Sequence, residues 1–244
     1  MSIAGSIPVT STAADSGGVH VREHQSFLAE AERRTLIFLA ARLPARLTPD
    51  HLTLLGLAAM GMAGGAFAIA PILPWSPLLV VPALALNWLG DSLDGTLARV
   101  RNQQRPRYGY YVDHVVDLVG ITALLAGLGM SGHMSPLIAA GLLAAYLLVT
   151  AEAFLATHAV GIFRISCFGW GPTELRLVLA AGAVALLRNP WVDLGALGRF
   201  QLFDVGGCVA IAGLIVAFIY SASRNTRALS RREPRPVRSG ARAA

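Results

Sequence analysis

The chain is 244 residues long, 55% hydrophobic and only 14% charged, with a mean hydropathy of +0.57. Soluble domains carry about 25% charge, so a fibrous or disordered chain is excluded and a water-soluble globule is disfavoured. The formal net charge is +6 and all 20 basic residues are arginine; no aromatic–basic interleaving accompanies them, so they are read as membrane flanks and no nucleic-acid partner is expected.

Residues 1–23 are Ser/Ala/Gly-rich and polar. They lack the basic start and apolar core of a signal peptide, and a disordered tail is expected. Residues 24–42 mix charges with Phe27, Leu28, Leu36, Ile37, Phe38 and Leu39, the pattern of an amphipathic helix lying in the membrane interface. Pro44 interrupts, and Thr48-Pro49-Asp50 is a helix-start signal. Six apolar blocks then follow, roughly 51–70, 76–97, 112–131, 136–158, 173–189 and 204–222. Each approaches the about 20 residues that cross a bilayer. The expected fold is all-α: a polytopic integral membrane protein with six transmembrane helices and an N-terminal interfacial helix. The membrane domain covers 24–223, and 224–244 is a basic tail expected to be disordered.

The N-terminal region, the loops after the second and fourth spans and the C-terminal tail hold 5, 4, 2 and 7 arginines; only Arg188 and Arg199 fall on the other face. Both termini are therefore expected in the cytoplasm. Cys167 and Cys208 are far apart in apolar context and suggest neither a disulfide framework nor a metal cluster. Gly61-x2-Gly64-Gly65 reads as close helix packing, and Gly206-Gly207 as a possible dimer contact.

Four aspartates stand out in apolar surroundings. Asp91 and Asp94 are spaced i, i+3 at the end of the second block; Asp113 and Asp117 are spaced i, i+4 at the start of the third. Each pair shares one helix face. A connection of about 14 residues is expected to let the two helices pack antiparallel, so that the carboxylates face each other. Four carboxylates repel unless compensated. Hard divalent cations, Mg²⁺ or Mn²⁺, are the natural compensation, and two of them form a template for a diphosphate. Gly95, Ala98 and Gly109 keep the same region open, and Arg99 suits a phosphate.

The string Asp91-x2-Asp94-Gly95-x2-Ala98-Arg99-x9-Gly109-x3-Asp113-x3-Asp117 resembles the signature of the CDP-alcohol phosphotransferase family. Its spacer after Arg99 is one residue longer than usual. The resemblance implies a membrane enzyme of phospholipid synthesis, commonly a homodimer, over about residues 24–222. It implies Asp91, Asp94 and Asp113 as principal metal ligands, with Asp117 near the second of two divalent cations. Asp117 would also be the general base for the acceptor hydroxyl. Asp91, Asp94, Gly95, Ala98, Arg99 and Gly109 would form the CDP site. The reaction would join an acceptor alcohol to the phosphorus beyond CMP, most simply with CDP-diacylglycerol as donor; the arginine-only, Ala/Gly/Leu-rich composition suggests a bacterial inner-membrane setting, where that donor is common.

The acceptor side is less defined. Thr48-Pro49-Asp50-His51-Leu52-Thr53-x2-Gly56 resembles a segment opening the first span in many members. Gln103-Gln104, Asp113-His114, Glu152-x4-Thr157-His158 and Gly171-Pro172-Thr173-Glu174 resemble the choline/ethanolamine branch. That branch is the alternative: a CDP-amino alcohol donor with diacylglycerol as acceptor. Glu152, costly in an apolar span without a partner, His158, Arg164 and Arg176 are the candidate acceptor or head-group residues. A divalent-cation transporter is the reading from another class; it would place its ligands nearer the bilayer midplane.

Overall fold

The computed structural model describes residues 27–160 and 172–233. Seven helices and one short hairpin make up this part: α1 (Phe27–Arg42), α2 (Pro49–Ala68), α3 (Val80–Val100, entered through a 3₁₀ turn at Ser76–Leu79), α4 (Pro106–Met130), α5 (Pro136–Val160), α6 (Pro172–Leu186), β1 (Trp191–Asp193), β2 (Arg199–Gln201) and α7 (Leu202–Arg232). The strands pair antiparallel, with Val192 opposite Phe200.

The expected start of the first span holds. Thr48 caps α2, accepting from the His51 backbone N–H while its own N–H donates to His51 Nδ1 at 3.1 Å. Pro49 follows at the first helical position, where its missing N–H costs nothing.

Among the described residues, five helices are long and apolar enough to cross a bilayer: Pro49–Ala68, Ser76–Val100, Pro106–Met130, Pro136–Ala159 and Leu202–Arg232. The described part is thus mostly helical and has the character of an integral membrane protein. The expected sixth, 173–189, corresponds to α6, which has 15 residues. At 1.5 Å per residue it spans about 22 Å, short of the about 30 Å hydrocarbon layer. Asn189-Pro190 and the hairpin cut it off.

Two other expectations are corrected. The connection between the second and third spans is residues 101–105, far shorter than about 14. Asn102 takes a left-handed φ of 54°, Gln103 N–H closes on Ala98 O at 2.9 Å, and Pro106 restarts the helix at once. At the other end, residues 224–232 are not irregular: α7 continues through Arg232. Asn225 is held to Glu152 of α5, and the Ala/Leu/Arg sequence beyond it favours helix.

α2 is the centre of the bundle. It packs along both α3 and α4, whereas α3 and α4 make little direct contact. Glycines let α2 approach so closely. A Cβ on Gly64 or Gly127 would collide with backbone of the facing helix, and one on Gly90 would lie 2.7 Å from Leu52 O. Gly61 and Gly65 have open space beside them, so only Gly64 of that trio is a packing glycine. Phe67, Val80, Leu124 and Leu128 fill the core beneath, with Phe203 edge-on to Phe67. α5 pairs with α7, and Gly207 lies against Met134 and Ile138 at this pair, while Gly206 has open space beside it.

α1 packs on the bundle through one face. Leu36 and Ala40 are buried against Leu52, Leu93 and Leu97, while Ile37, Phe38 and Leu39 remain exposed. Arg101 fixes its junction with α2: the guanidinium donates to the carbonyls of Leu47, Leu43 and Pro44.

Candidate active site

The ends of α2 and α3 and the start of α4 enclose a cleft lined by Thr53, Gly56, Asn87, Asp91, Asp94, Asp113, Val116 and Asp117. All four aspartates singled out from the sequence are therefore in one place. They do not arrive there as expected. α3 and α4 face each other across α2, which forms the floor through Thr53 and Gly56. A Cβ at Gly56 would meet the Asn87 side chain at 3.5 Å, an ordinary contact.

The floor also orients the walls. Thr53 Oγ1 donates to Asp94 Oδ2 at 2.7 Å. Asn87 Nδ2 donates to Gly56 O at 3.1 Å, which leaves its carbonyl to accept from Arg176 Nε at 2.8 Å. Arg176 Nη2 also donates to Asp91 Oδ2 at 2.7 Å, so α6 inserts a guanidinium among the carboxylates. One turn before Thr53, Asp50 accepts from Arg105 Nη2 at 2.6 and 2.7 Å, and the Arg105 guanidinium lies 3.9 Å over the Tyr108 ring. Asp50 holds the Arg105 pKa above its ordinary value. This strap ties the α3–α4 connection to the first turn of α2, at the mouth of the cleft.

The enclosed space between the carboxylates is small, about 10 Å³. That volume admits an ion or a water. Gly109, one turn before Asp113, has nothing within 4 Å of its notional Cβ. Gly95 faces Arg99, whose Nη2 donates to Thr96 Oγ1 at 3.0 Å. Ala98 is half-buried one turn on from Asp94. The donor set is all carboxylate oxygen, the chemistry Mg²⁺ and Mn²⁺ prefer. Among the described residues, no three His, Cys, Asp or Glu side chains stand together closely enough to hold one ion. The carboxylates line a common cleft from opposite walls instead.

A sequence model of the family described as CDP-alcohol phosphatidyltransferase matches residues 46–219. The chain belongs to this family. No curated protein matches the chain. The CDP-alcohol phosphatidyltransferase is accordingly a membrane phosphotransferase of phospholipid biosynthesis, acting on a CDP-alcohol donor and an alcohol acceptor. The family generally uses divalent metal ions. The matched stretch begins just before the Thr48 cap and ends inside α7, so it takes in every residue of the cleft.

The acceptor-side candidates separate in this phosphatidyltransferase. Arg176 is in the cleft. Glu152 is not its partner: the carboxylate accepts from Ser221 Oγ at 2.7 Å and Asn225 Nδ2 at 2.8 Å, both on α7. His158 is exposed near the end of α5, and Arg164 lies outside the described residues. His114 turns to Tyr110, its Nδ1 2.7 Å from that carbonyl oxygen, with Phe154 edge-on to its ring. Sequence reading missed Thr53 and Asn87 as site residues. Their signal was present: both are polar residues in apolar blocks, Asn87 one turn before Asp91 and Thr53 in the segment that opens α2.

Proposed function

We propose that this enzyme transfers the phosphatidyl group of CDP-diacylglycerol to the hydroxyl of an acceptor alcohol and releases CMP. The observation that carries the reading is the cleft itself: four aspartates from two helices around a space of ionic size. The carboxylate set suits two divalent cations, Mg²⁺ or Mn²⁺, with Asp91, Asp94, Asp113 and Asp117 as the residues that would hold them. When bound, the cations neutralise the donor's diphosphate.

The rest of the chemistry is assigned to the chain. Asp117 accepts the proton of the acceptor hydroxyl. The hydroxyl oxygen forms a bond to the phosphorus bearing diacylglycerol, the bond from that phosphorus to the bridging oxygen breaks, and the electron pair leaves on CMP. Gly95, Ala98, Arg99 and Gly109 border the CDP moiety, with Arg99 directed to phosphate. Arg176 is assigned to the acceptor side, where a guanidinium suits a phosphate or carboxylate; Glu152, engaged by α7, is assigned a structural role. We place the cleft and both termini on the cytoplasmic face of a bacterial inner membrane, on the arginine distribution, and read the enzyme as a homodimer by analogy with the family.

The test uses purified protein in detergent with CDP-diacylglycerol, Mg²⁺ or Mn²⁺, and separate acceptors: serine, glycerol 3-phosphate, inositol, an inositol phosphate and a phospholipid alcohol. Acceptor-dependent CMP release, lost in Asp117→Asn, is the expected result and names the acceptor. Release only from CDP-ethanolamine or CDP-choline with diacylglycerol would replace the proposed donor. Silence with every pair, in folded protein that binds the metal, would overturn the transferase reading of the cleft.

A further inference from the structure

The end of the bundle opposite the aspartates carries a second cavity. Asp117 and Met130 are separated by about 20 Å along α4 at 1.5 Å per residue, and the cavity lies beyond Met130. It is an open depression of about 400 Å³. The hairpin forms one wall, with Trp191, Arg199, Phe200 and Gln201; the α4–α5 turn and Asp204 of α7 form the other. The walls are tied together: Asp204 Oδ1 accepts from Ser135 N–H at 2.6 Å, and Gln201 Nε2 donates to Gly132 O at 2.9 Å.

Two features of this cavity point to one kind of occupant. First, the hairpin turns apolar side chains outward: Trp191, Leu194, Leu197 and Phe200 are 44%, 41%, 74% and 43% exposed. Trp75 and Ile72, in the connection after α2 at the same end, are also exposed. Aromatic residues at helix ends in a membrane protein lie at the headgroup level, so the cavity opens into the lipid interface. Second, the Arg199 guanidinium is exposed and makes no hydrogen bond or ion pair with a described residue. Among the described residues, Arg188 is the other arginine at this end. Trp191 shares the Arg199 face of the hairpin, as does Asp193 opposite Arg199, and a guanidinium beside an aromatic ring suits a phosphodiester with an apolar approach for acyl chains.

We propose that this cavity is a phospholipid headgroup site in the leaflet opposite the aspartate cleft, with Arg199 on the phosphodiester and Trp191, on the same face of the hairpin, against the glycerol and upper acyl region. The inference rests on the fold and the membrane setting alone, and it stands or falls independently of the donor and acceptor assigned above.

Native mass spectrometry of the detergent-purified protein, titrated with dioleoyl phosphatidylglycerol, tests it. Arg199→Gln is expected to weaken lipid retention about tenfold, the loss of roughly one charge-assisted hydrogen bond. Arg199→Lys should restore most of it, and Arg188→Gln should leave it unchanged. CMP release should be the same in all three, which shows that the variants are folded. Equal retention by wild type and Arg199→Gln would overturn the proposal. So would displacement of the lipid by millimolar inorganic phosphate, which would make a free anion the ligand.

Discussion

At the scale of single residues, the cleft is defined by who engages each carboxylate. Asp94 is held by Thr53, Asp91 by Arg176, and Asp113 and Asp117 project from one face of α4. Asp117 is the proposed base, so Asp117→Asn should lower kcat by about 10²–10⁴, the range for loss of a general base, while expression and thermal stability are retained; CMP release in detergent measures it. Thr53 acts through Asp94 and not on substrate. Removing such an orienting hydrogen bond typically costs about 10–100-fold in metal affinity. Thr53→Val should therefore raise the Mg²⁺ concentration for half-maximal activity by about tenfold with little change in kcat at saturating metal. Thr53→Ser, which keeps the hydroxyl, should behave as wild type. A kcat loss that excess metal does not rescue would show that Thr53 has a different role.

At the scale of elements, α2 is what makes α3 and α4 a pair. Its glycine contacts leave no room for a methyl group: Gly64 and Gly127 meet backbone to backbone, and Gly90 meets Leu52 and Gly56. Overpacking of this kind costs about 1–3 kcal/mol. Gly127→Ala should lower the Tm in detergent and reduce activity together, because displacement of α4 moves Asp113 and Asp117. Gly61→Ala, with open space beside it, should do neither. The α5–α7 pair is held differently, by Glu152 with Ser221 and Asn225. Polar ties between membrane helices average about 0.6 kcal/mol. Asn225→Ala should cost a small drop in Tm and leave the KM for the acceptor unchanged; a raised KM would return Glu152 to the acceptor site.

At the scale of the whole molecule, the two ends differ in charge and in chemistry. The α7 extension, with Arg224, Arg227, Arg231 and Arg232, and the packed α1 lie at the aspartate end; the hairpin lies at the other. With Cys167 and Cys208 replaced by serine, a single cysteine at Ser230 should react with an impermeant thiol reagent only in inside-out vesicles. One at Leu197 should react only in right-side-out cells. The reverse pattern would invert the proposed orientation. α6 is the element that fits the six-span expectation least. It runs from Arg176 at the cleft to Gly182 against Phe203 near the far end.

Much of this was legible in the chain. The apolar blocks, the Thr48 cap and the paired aspartates follow from local rules: a transmembrane helix needs length and apolarity, a cap needs a side-chain oxygen, and i, i+3 or i, i+4 spacing puts two carboxylates on one face. Those rules act within one element. What lies between elements was not legible. Nothing in the spacing of Asp91 and Asp113 says that α2 stands between their helices, that Thr53 serves Asp94, or that Arg176 reaches Asp91 and not Glu152. Those pairings depend on which helix faces approach, and that is set by the glycines whose missing side chains let backbones touch. A glycine in a sequence carries no address. Only the packed bundle decides which neighbour fills its space.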